Sequence, residues 1–219
     1  MKSKFGFSKK ECRIFSKLDT PKKIQDFLDK LDYNIEKKEE TYFSPLMVLR
    51  KKKANCIEGA LFAAAALRFH GYPPLIVDLT SGREHDTDHI IAIFKINGYW
   101  GAIAKSKYPT LTFREPIQRT IRELALTYFD EYFNYYGKKT LRGYSNPVNM
   151  SRFDKINWMT TEKKLTCIED YLNKIKHHKL LTNSMIRNLR KVTPLVKEAG
   201  ELWIKKHGLQ KKIKSDAHG

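Results

Sequence analysis

The sequence has few cysteines: Cys12, Cys56 and Cys167 are the only three in 219 residues. An odd number without paired spacing argues against a disulfide framework and against a CxxC zinc site. We therefore expect three reduced thiols, and the sequence predicts no metal and no other cofactor.

Long apolar runs are also absent. The first residues, MKSKFGFSKKEC, are basic but lack the apolar segment of a signal peptide, and no stretch is long enough to span a bilayer. The sequence therefore predicts a cytoplasmic protein with no membrane span.

Acidic residues are greatly outnumbered, with 24 Asp and Glu against 42 Lys and Arg and a formal net charge of +18. Such a charge favours nonspecific contact with nucleic acid, anionic lipid or acidic proteins. The lysines are spread along the whole chain, however, so a general compositional bias explains them equally well. No zinc finger or RNA-binding sheet signature is present, and nucleic-acid binding remains one hypothesis among others.

Two segments have strong helix signals. In DTPKKIQDFLDKL, Thr20 is a good N-cap and Pro21 suits the first helical position. The run CIEGALFAAAALRFHG is rich in helix formers and is apolar on nearly every side, which is typical of a buried central helix. Gly71, followed by two prolines, predicts the end of that helix.

Three segments predict strands, and the second and third form a hairpin through Asn97 and Gly98, a strong two-residue turn signal. Beyond Pro116 the pattern predicts helices, with the aromatic cluster 128–136 in the core and at its rim and His177 and His178 on a polar helix face. The strands are predicted at 74–79, 89–96 and 99–104, and the later helices at 117–136, 161–176, 182–191 and 193–207.

Cys56 is the candidate nucleophile. At the start of the buried helix, free amides and the helix dipole favour the thiolate over the thiol, and the lysines at 51–53 act in the same direction. A nucleophilic cysteine also needs a base within hydrogen-bond reach, and His89, the first residue of a predicted strand, is the candidate. The alternative is that Cys56 is a structural core thiol.

The segments NCIEGALFAAAALRFHGYPP, DHIIAIF and NGYWGAIAKS together resemble the transglutaminase-like superfamily of papain-like cysteine enzymes. The runs ALRFHGYPPLIVDL, GYWGAIAKSKY, FREPIQRTIRELALTYF and KKTLRGYS are similar to a group of uncharacterised bacterial members. The resemblance implies an α+β fold, with a cysteine-bearing central helix packed on a small antiparallel sheet and with N- and C-terminal helices flanking it. We predict a single domain over 1–207, with a core at about 40–115, a helical extension at about 116–207 and a basic flexible tail at 208–219.

The chain departs from the family's motif at one position, since Ala104 stands where the motif has an aspartate that holds the histidine. The hairpin register places Ser106 opposite His89, so Ser106 is predicted as a neutral partner that orients the ring. Asp86 can reach the ring only if its loop curls back, and Asp88 is expected to point to the opposite face of the strand.

An acyl-transfer site also needs hydrogen-bond donors for an oxyanion. The backbone N–H of Cys56 is the first candidate, and the side chain of Asn55 or the ring N–H of Trp100 is the second. The loop REHDTDH at 83–89 holds His85 and other metal-ligand residue types, but a solvated turn is the simpler interpretation.

The resemblance implies thiol-dependent acyl transfer or hydrolysis at an amide or ester, with an unknown peptide, protein or small-molecule substrate. In that chemistry Cys56 attacks the carbonyl and His89 takes and returns the proton. Water as acceptor makes the protein a peptidase or amidase, and an amine makes it a transferase. The missing aspartate leaves open a catalytically lapsed binding module.

Overall fold

The computed structural model describes residues 3–35, 40–82 and 86–208. In the described chain, helices are interspersed with strands, and most of the strands form one antiparallel sheet. The helices are α1 (Lys9–Phe15), α2 (Pro21–Asp29), α3 (Pro45–Lys51), α4 (Cys56–Phe69), α5 (Ile121–Leu126), α6 (Thr166–Leu172), α7 (Asn183–Arg187), α8 (Pro194–Gly200) and α9 (Leu202–Lys206), with 3-10 helices at Phe129–Glu131 and Met150–Ile156. The strands are β1 (Asp32–Tyr33), β2 (Lys53–Ala54), β3 (Leu75–Ser81), β4 (His89–Ile96), β5 (Tyr99–Ile103), β6 (Arg114–Gln118), β7 (Leu141–Ser145), β8 (Val148–Asn149) and β9 (His177–Lys179).

The main sheet has the strand order β6-β5-β4-β3-β7-β9, and the short β8 also pairs with β3. Each of these pairings is antiparallel. A separate parallel pair, β1 with β2, joins the chain after α2 to the residues just before α4. This pair therefore helps to position the start of the central helix.

The predicted hairpin between β4 and β5 is present. Asn97 and Gly98 have φ angles of +50° and +88°, the left-handed conformations that a two-residue turn of this kind requires. The register runs from Ile96 opposite Tyr99 to Ala92 opposite Ile103, where the pairing ends. The ladder therefore stops before it reaches Ser106.

Helix α4 lies in the centre of the protein, as its composition predicts. Its residues from Ile57 to Leu67 are buried, and it packs on one face of the sheet against β4, with α2 and α3 beside it. Thr20 caps α2 and Pro21 begins it, also as predicted. Gly59 lies so close to the chain after β5 that a Cβ there would be 2.4 Å from the Cβ of Lys105.

The opposite face of the sheet is covered by α5 and by aromatic residues that follow it. Tyr128 and Tyr132 are buried there, as predicted for the cluster 128–136, whereas Tyr136 is exposed. The sheet is thus covered on both faces, and α4 and α5 lie on opposite sides of it.

The predicted helical extension is only partly helical, because β7, β8 and β9 join the main sheet from that region. The predicted helix at 117–136 is reduced to α5, and that at 161–176 to α6. His177 and His178 lie on the edge strand β9, not on a helix. β7 and β8 pair with β3, and β9 pairs with β7, so their backbone groups form hydrogen bonds with strands that are distant in sequence. Local helix propensity does not predict such pairing.

No helix among the described residues is long and apolar enough to cross a membrane.

Candidate active site

The N-terminus of α4 is closed by a reciprocal capping box. The side-chain oxygen of Asn55 accepts a hydrogen bond from the backbone N–H of Glu58 at 3.1 Å, and the Glu58 carboxylate accepts one from the Asn55 N–H at 2.9 Å. Cys56 is therefore the first helical residue, as predicted. Sequence reasoning missed Glu58, although the spacing of Asn55 and Glu58 is itself a helix-start signal.

Glu58 is fully buried, and its carboxylate accepts several further hydrogen bonds. The side-chain amide of Asn34 donates to both oxygens, at 2.9 and 3.2 Å, and the backbone N–H of Phe43 donates at 2.9 Å. The hydroxyl of Thr41 donates as well. One carboxylate thus joins the start of α4 to chain segments on both sides of residues 36–39.

Cys56 is half-buried, and burial raises the pKa of its thiol. Hydrogen bonding from the backbone N–H groups of Ile90 and Ile57 and the charge of Lys107 lower the pKa, but by less than burial raises it. The amides at the start of the helix act toward the thiolate, as expected, but removal from water has the larger effect on the pKa.

His89 is buried at the start of β4, and its Nε2 lies 2.9 Å from the carbonyl oxygen of Leu111. A carbonyl can only accept, so Nε2 carries the hydrogen and Nδ1 is the unprotonated nitrogen of the neutral ring. The ring also lies edge-to-face against Tyr128, with ring centroids 6.2 Å apart. The tautomer suits a base that accepts a proton at Nδ1.

Burial lowers the pKa of His89 to about 4, and the positive charge of Arg114 adds to this effect. The Leu111 carbonyl acts in the opposite direction. His89 is therefore neutral at neutral pH.

Cys56 and His89 line the same small cavity, of about 30 Å³. Among the hydrogen bonds of the described residues, none joins the thiol to the ring. The tertiary structure thus places both groups at one cavity and leaves them without a direct bond.

The predicted hydrogen bond between His89 and Ser106 is wrong. Ser106 lines the cavity, but its hydroxyl oxygen accepts from the backbone N–H of Tyr108 at 3.0 Å, while the ring donates to Leu111. The chain leaves the ladder after Ile103 because other contacts hold it.

Two contacts hold the chain that follows β5. Gln25 makes two hydrogen bonds to the backbone of Ala104, at 2.9 and 3.0 Å. The buried Lys105 ammonium donates to the carbonyl oxygens of Leu28 and Leu31, at 2.8 and 2.5 Å. The position where the family's motif has an aspartate is therefore clamped against α2.

Trp100 is also wrongly predicted as an oxyanion donor. It pairs with Lys95 near the hairpin turn, roughly 20 Å along β4 from His89 at the usual rise per residue. Asn55 does lie at the larger cleft beside Cys56, with its side-chain oxygen occupied by the helix cap. A donor role for its amide nitrogen stays a prediction.

Neither nearby aspartate holds His89. Asp86 accepts from the Thr140 hydroxyl and from the Thr87 N–H, and Asp88 accepts from the Ser81 N–H at 2.7 Å. His85, part of the alternative metal interpretation, lies outside the described residues. In the part of the chain that is described, no group of three or more His, Cys, Asp and Glu residues could hold a metal ion.

A larger cleft of about 760 Å³ opens beside Cys56. Asp78 and His177, which sequence reasoning did not connect, meet in its wall with 3.0 Å between the carboxylate Oδ2 and the ring Nε2. Burial, reinforced by the charge of Asp88, raises the pKa of Asp78. No local signal could have found this pair, because it depends on the pairing of β9 with β7.

A family model described as a transglutaminase-like domain matches residues 8–143. The chain belongs to the transglutaminase-like family. The resemblance seen in the Cys56 helix and the two following strands is thereby confirmed, and the cysteine-bearing helix on a mainly antiparallel sheet agrees with it. A comparison of this transglutaminase-like chain with the curated proteins finds no match.

The carboxylate of Glu58 generates a stability prediction. Glu58→Gln places an amide donor among backbone and side-chain donors, so the free energy of unfolding should fall by about 2–4 kcal/mol. Urea denaturation measures it. Glu123 is a matched control, because it has the same position in α5, is exposed, and accepts from the Arg119 N–H. Glu123→Gln should cost less than about 1 kcal/mol, and equal losses would contradict the role of Glu58.

The buried neutral ring of His89 generates a pH prediction. Its pKa is about 4 in the folded protein against an ordinary 6.5, so the unfolded chain binds the proton first and stability falls as pH drops through this window. Between pH 7 and 4.5 the histidine accounts for about 2 kcal/mol of the loss. Urea denaturation at both pH values should show a smaller loss in His89→Gln. The exposed His207 is the control: His207→Gln should behave like the wild type, and an unchanged loss in His89→Gln would contradict the prediction.

Proposed function

We propose that this protein is a cysteine-dependent enzyme of acyl transfer or hydrolysis, with Cys56 as nucleophile and His89 as general base. The observation that carries the proposal is the hydrogen bond from His89 Nε2 to the Leu111 carbonyl. That bond leaves Nδ1 as the proton acceptor of a ring that shares a cavity with the thiol.

The reaction begins with transfer of the Cys56 thiol proton to His89 Nδ1, while the sulfur attacks the carbonyl carbon of an amide or ester. The carbonyl π electrons move to the oxygen, which the Cys56 N–H at the start of α4 stabilises. His89 then gives the proton to the leaving amine or alcohol, and a thioester remains on Cys56. Water or an amine resolves the thioester by the same steps in reverse.

The Leu111 carbonyl takes the orienting role that a carboxylate has in the family's motif. It fixes the tautomer and accepts from the imidazolium when that ion forms. A neutral carbonyl stabilises the imidazolium less than a carboxylate does. Together with the raised pKa of Cys56 and the lowered pKa of His89, this favours a neutral resting pair, so the proton moves only during attack on a bound substrate.

A catalytically lapsed binding module is the second candidate. Ala104 at the aspartate position favours it, as does the lack of a hydrogen bond between Cys56 and His89 within the described chain. Both candidate functions use the cleft beside Cys56 as the binding site. The nucleic-acid hypothesis has no support from this cleft, because its many carboxylates repel phosphate.

Alkylation separates the two candidates. We expect iodoacetamide to modify Cys56 at least about 10-fold more slowly in His89→Gln than in the wild type, since positioned proton transfer contributes roughly 10²-fold or more. The raised pKa of the Cys56 thiol also predicts that its alkylation rate keeps increasing with pH beyond the pH at which the rate of an ordinary thiol levels off. Peptide mass spectrometry measures each cysteine separately.

Cys167 is an exposed thiol in the same chain and serves as the internal control. Its rate should be the same in both proteins, so a general change of folding or reagent is detected at once. Equal Cys56 rates in wild type and His89→Gln, with Cys167 unchanged, would favour the lapsed binding module.

A further inference from the structure

The cleft beside Cys56 is acidic in a strongly basic protein. Five carboxylates line it, although the chain carries a formal net charge of +18. Among the described residues that line the cleft, Lys107 is the only lysine or arginine side chain. The carboxylates are those of Glu40, Asp78, Asp86, Asp88 and Glu169.

Among the described residues, two of these carboxylates share a single donor. Glu40 and Glu169 both contact the hydroxyl of Tyr42, and one hydroxyl has a single hydrogen to donate. Their proximity, together with burial, raises the pKa of Tyr42. The hydroxyl therefore cannot satisfy both carboxylates.

A second and independent observation comes from Asp78 in the wall of the cleft. Asp78 is only 2% exposed. Its Oδ2 lies 3.0 Å from Nε2 of His177, whereas its Oδ1 has no hydrogen-bond partner among the described residues. The same is true of Asn34, also 2% exposed: its amide nitrogen donates to Glu58 and Thr41, and its Oδ1 has no partner.

Both of these unpaired acceptors belong to residues that line the cleft. A buried acceptor without a donor is destabilising, so each favours a ligand that supplies hydrogens. A guanidinium or an ammonium group supplies hydrogens and positive charge together.

We propose that this cleft binds a cationic group, a guanidinium or a protonated amine, with the carboxylate of Asp78 as its principal acceptor. Asn55 and Cys56 line the same cleft, so the cation is held beside the reacting thiol. That the cation belongs to the substrate rests on the proposed function, whereas the binding site does not. The cation is recognised there and is not the group that reacts.

Isothermal titration calorimetry with four amino-acid amides, each acetylated on its α-amine so that only the side chain can carry a positive charge, tests the proposal. Acetyl-arginine amide is compared with acetyl-citrulline amide, a nearly isosteric molecule with a neutral side chain, and acetyl-lysine amide with acetyl-norleucine amide. We expect at least one cationic amide to bind 10-fold or more tightly than its neutral counterpart, and the stronger of the two identifies the group. Equal affinities within both pairs overturn the proposal. This comparison uses the wild-type protein, so it does not depend on whether a variant folds.

Variants locate the site. Asp78→Asn should weaken binding of the preferred cationic amide at least 10-fold, and unchanged binding overturns the assignment to Asp78. Asp130→Asn is the matched control, because Asp130 is an exposed aspartate that pairs with Lys139 and does not line the cleft. Its binding should equal that of the wild type, and a loss as large as that of Asp78→Asn overturns the assignment.

Cys56→Ala separates this proposal from the proposed function. Binding of the cationic amide should persist in Cys56→Ala, because the thiol is not one of the acceptors. Binding that persists while Cys56 alkylation is independent of His89 supports a cation-binding module without catalysis. His89-dependent alkylation without cation selectivity supports the enzyme and overturns the cation site.

Discussion

The buried carboxylate of Glu58 is the constraint on which the candidate site depends. A buried charge is tolerated only when its oxygens accept enough hydrogen bonds, and Glu58 takes them from Asn34, Thr41, Phe43 and the backbone of Asn55. The same bonds close the N-terminus of α4 and hold the preceding chain against it. The Glu58 carboxylate therefore positions both the thiol of Cys56, at the start of α4, and Asn34 in the wall of the cleft.

Burial determines the chemical state of the two proposed reacting groups. It raises the pKa of the Cys56 thiol and lowers the pKa of His89, because each charged form loses its hydration. Both pKa shifts therefore disfavour a resting thiolate–imidazolium pair. The Leu111 carbonyl compensates only in part, since it orients the ring and accepts from it without contributing a full negative charge. In the proposed reaction, proton transfer from Cys56 to His89 therefore depends on the bound substrate.

Net charge and local charge point in opposite directions in this protein. The formal charge of +18 describes the chain as a whole, whereas the cleft concentrates carboxylates around Asp78. Low dielectric and short distance make the nearby groups dominate, while exposed lysines are screened by solvent and salt. The total charge is thus a poor guide to what the cleft binds, and the unpaired acceptors of Asp78 and Asn34 are a better one.

The sequence by itself determined the features that depend on neighbouring residues. These are the cap and first turn of α2, the buried α4 with Cys56 at its start, and the hairpin at Asn97 and Gly98, because caps, apolar periodicity and turn dihedrals are local properties. The choice of His89 as candidate base stays a prediction, made from its place at the start of a strand and supported by the family resemblance. Only the tertiary structure decided the partners: Leu111 for His89, and Asp78 for His177, which is 99 residues away in the chain. Ser106 was wrong because the point where a ladder ends depends on packing against α2 and not on the turn that starts it. Trp100 was wrong for a different reason, since the hairpin register places it opposite Lys95, far along β4 from His89.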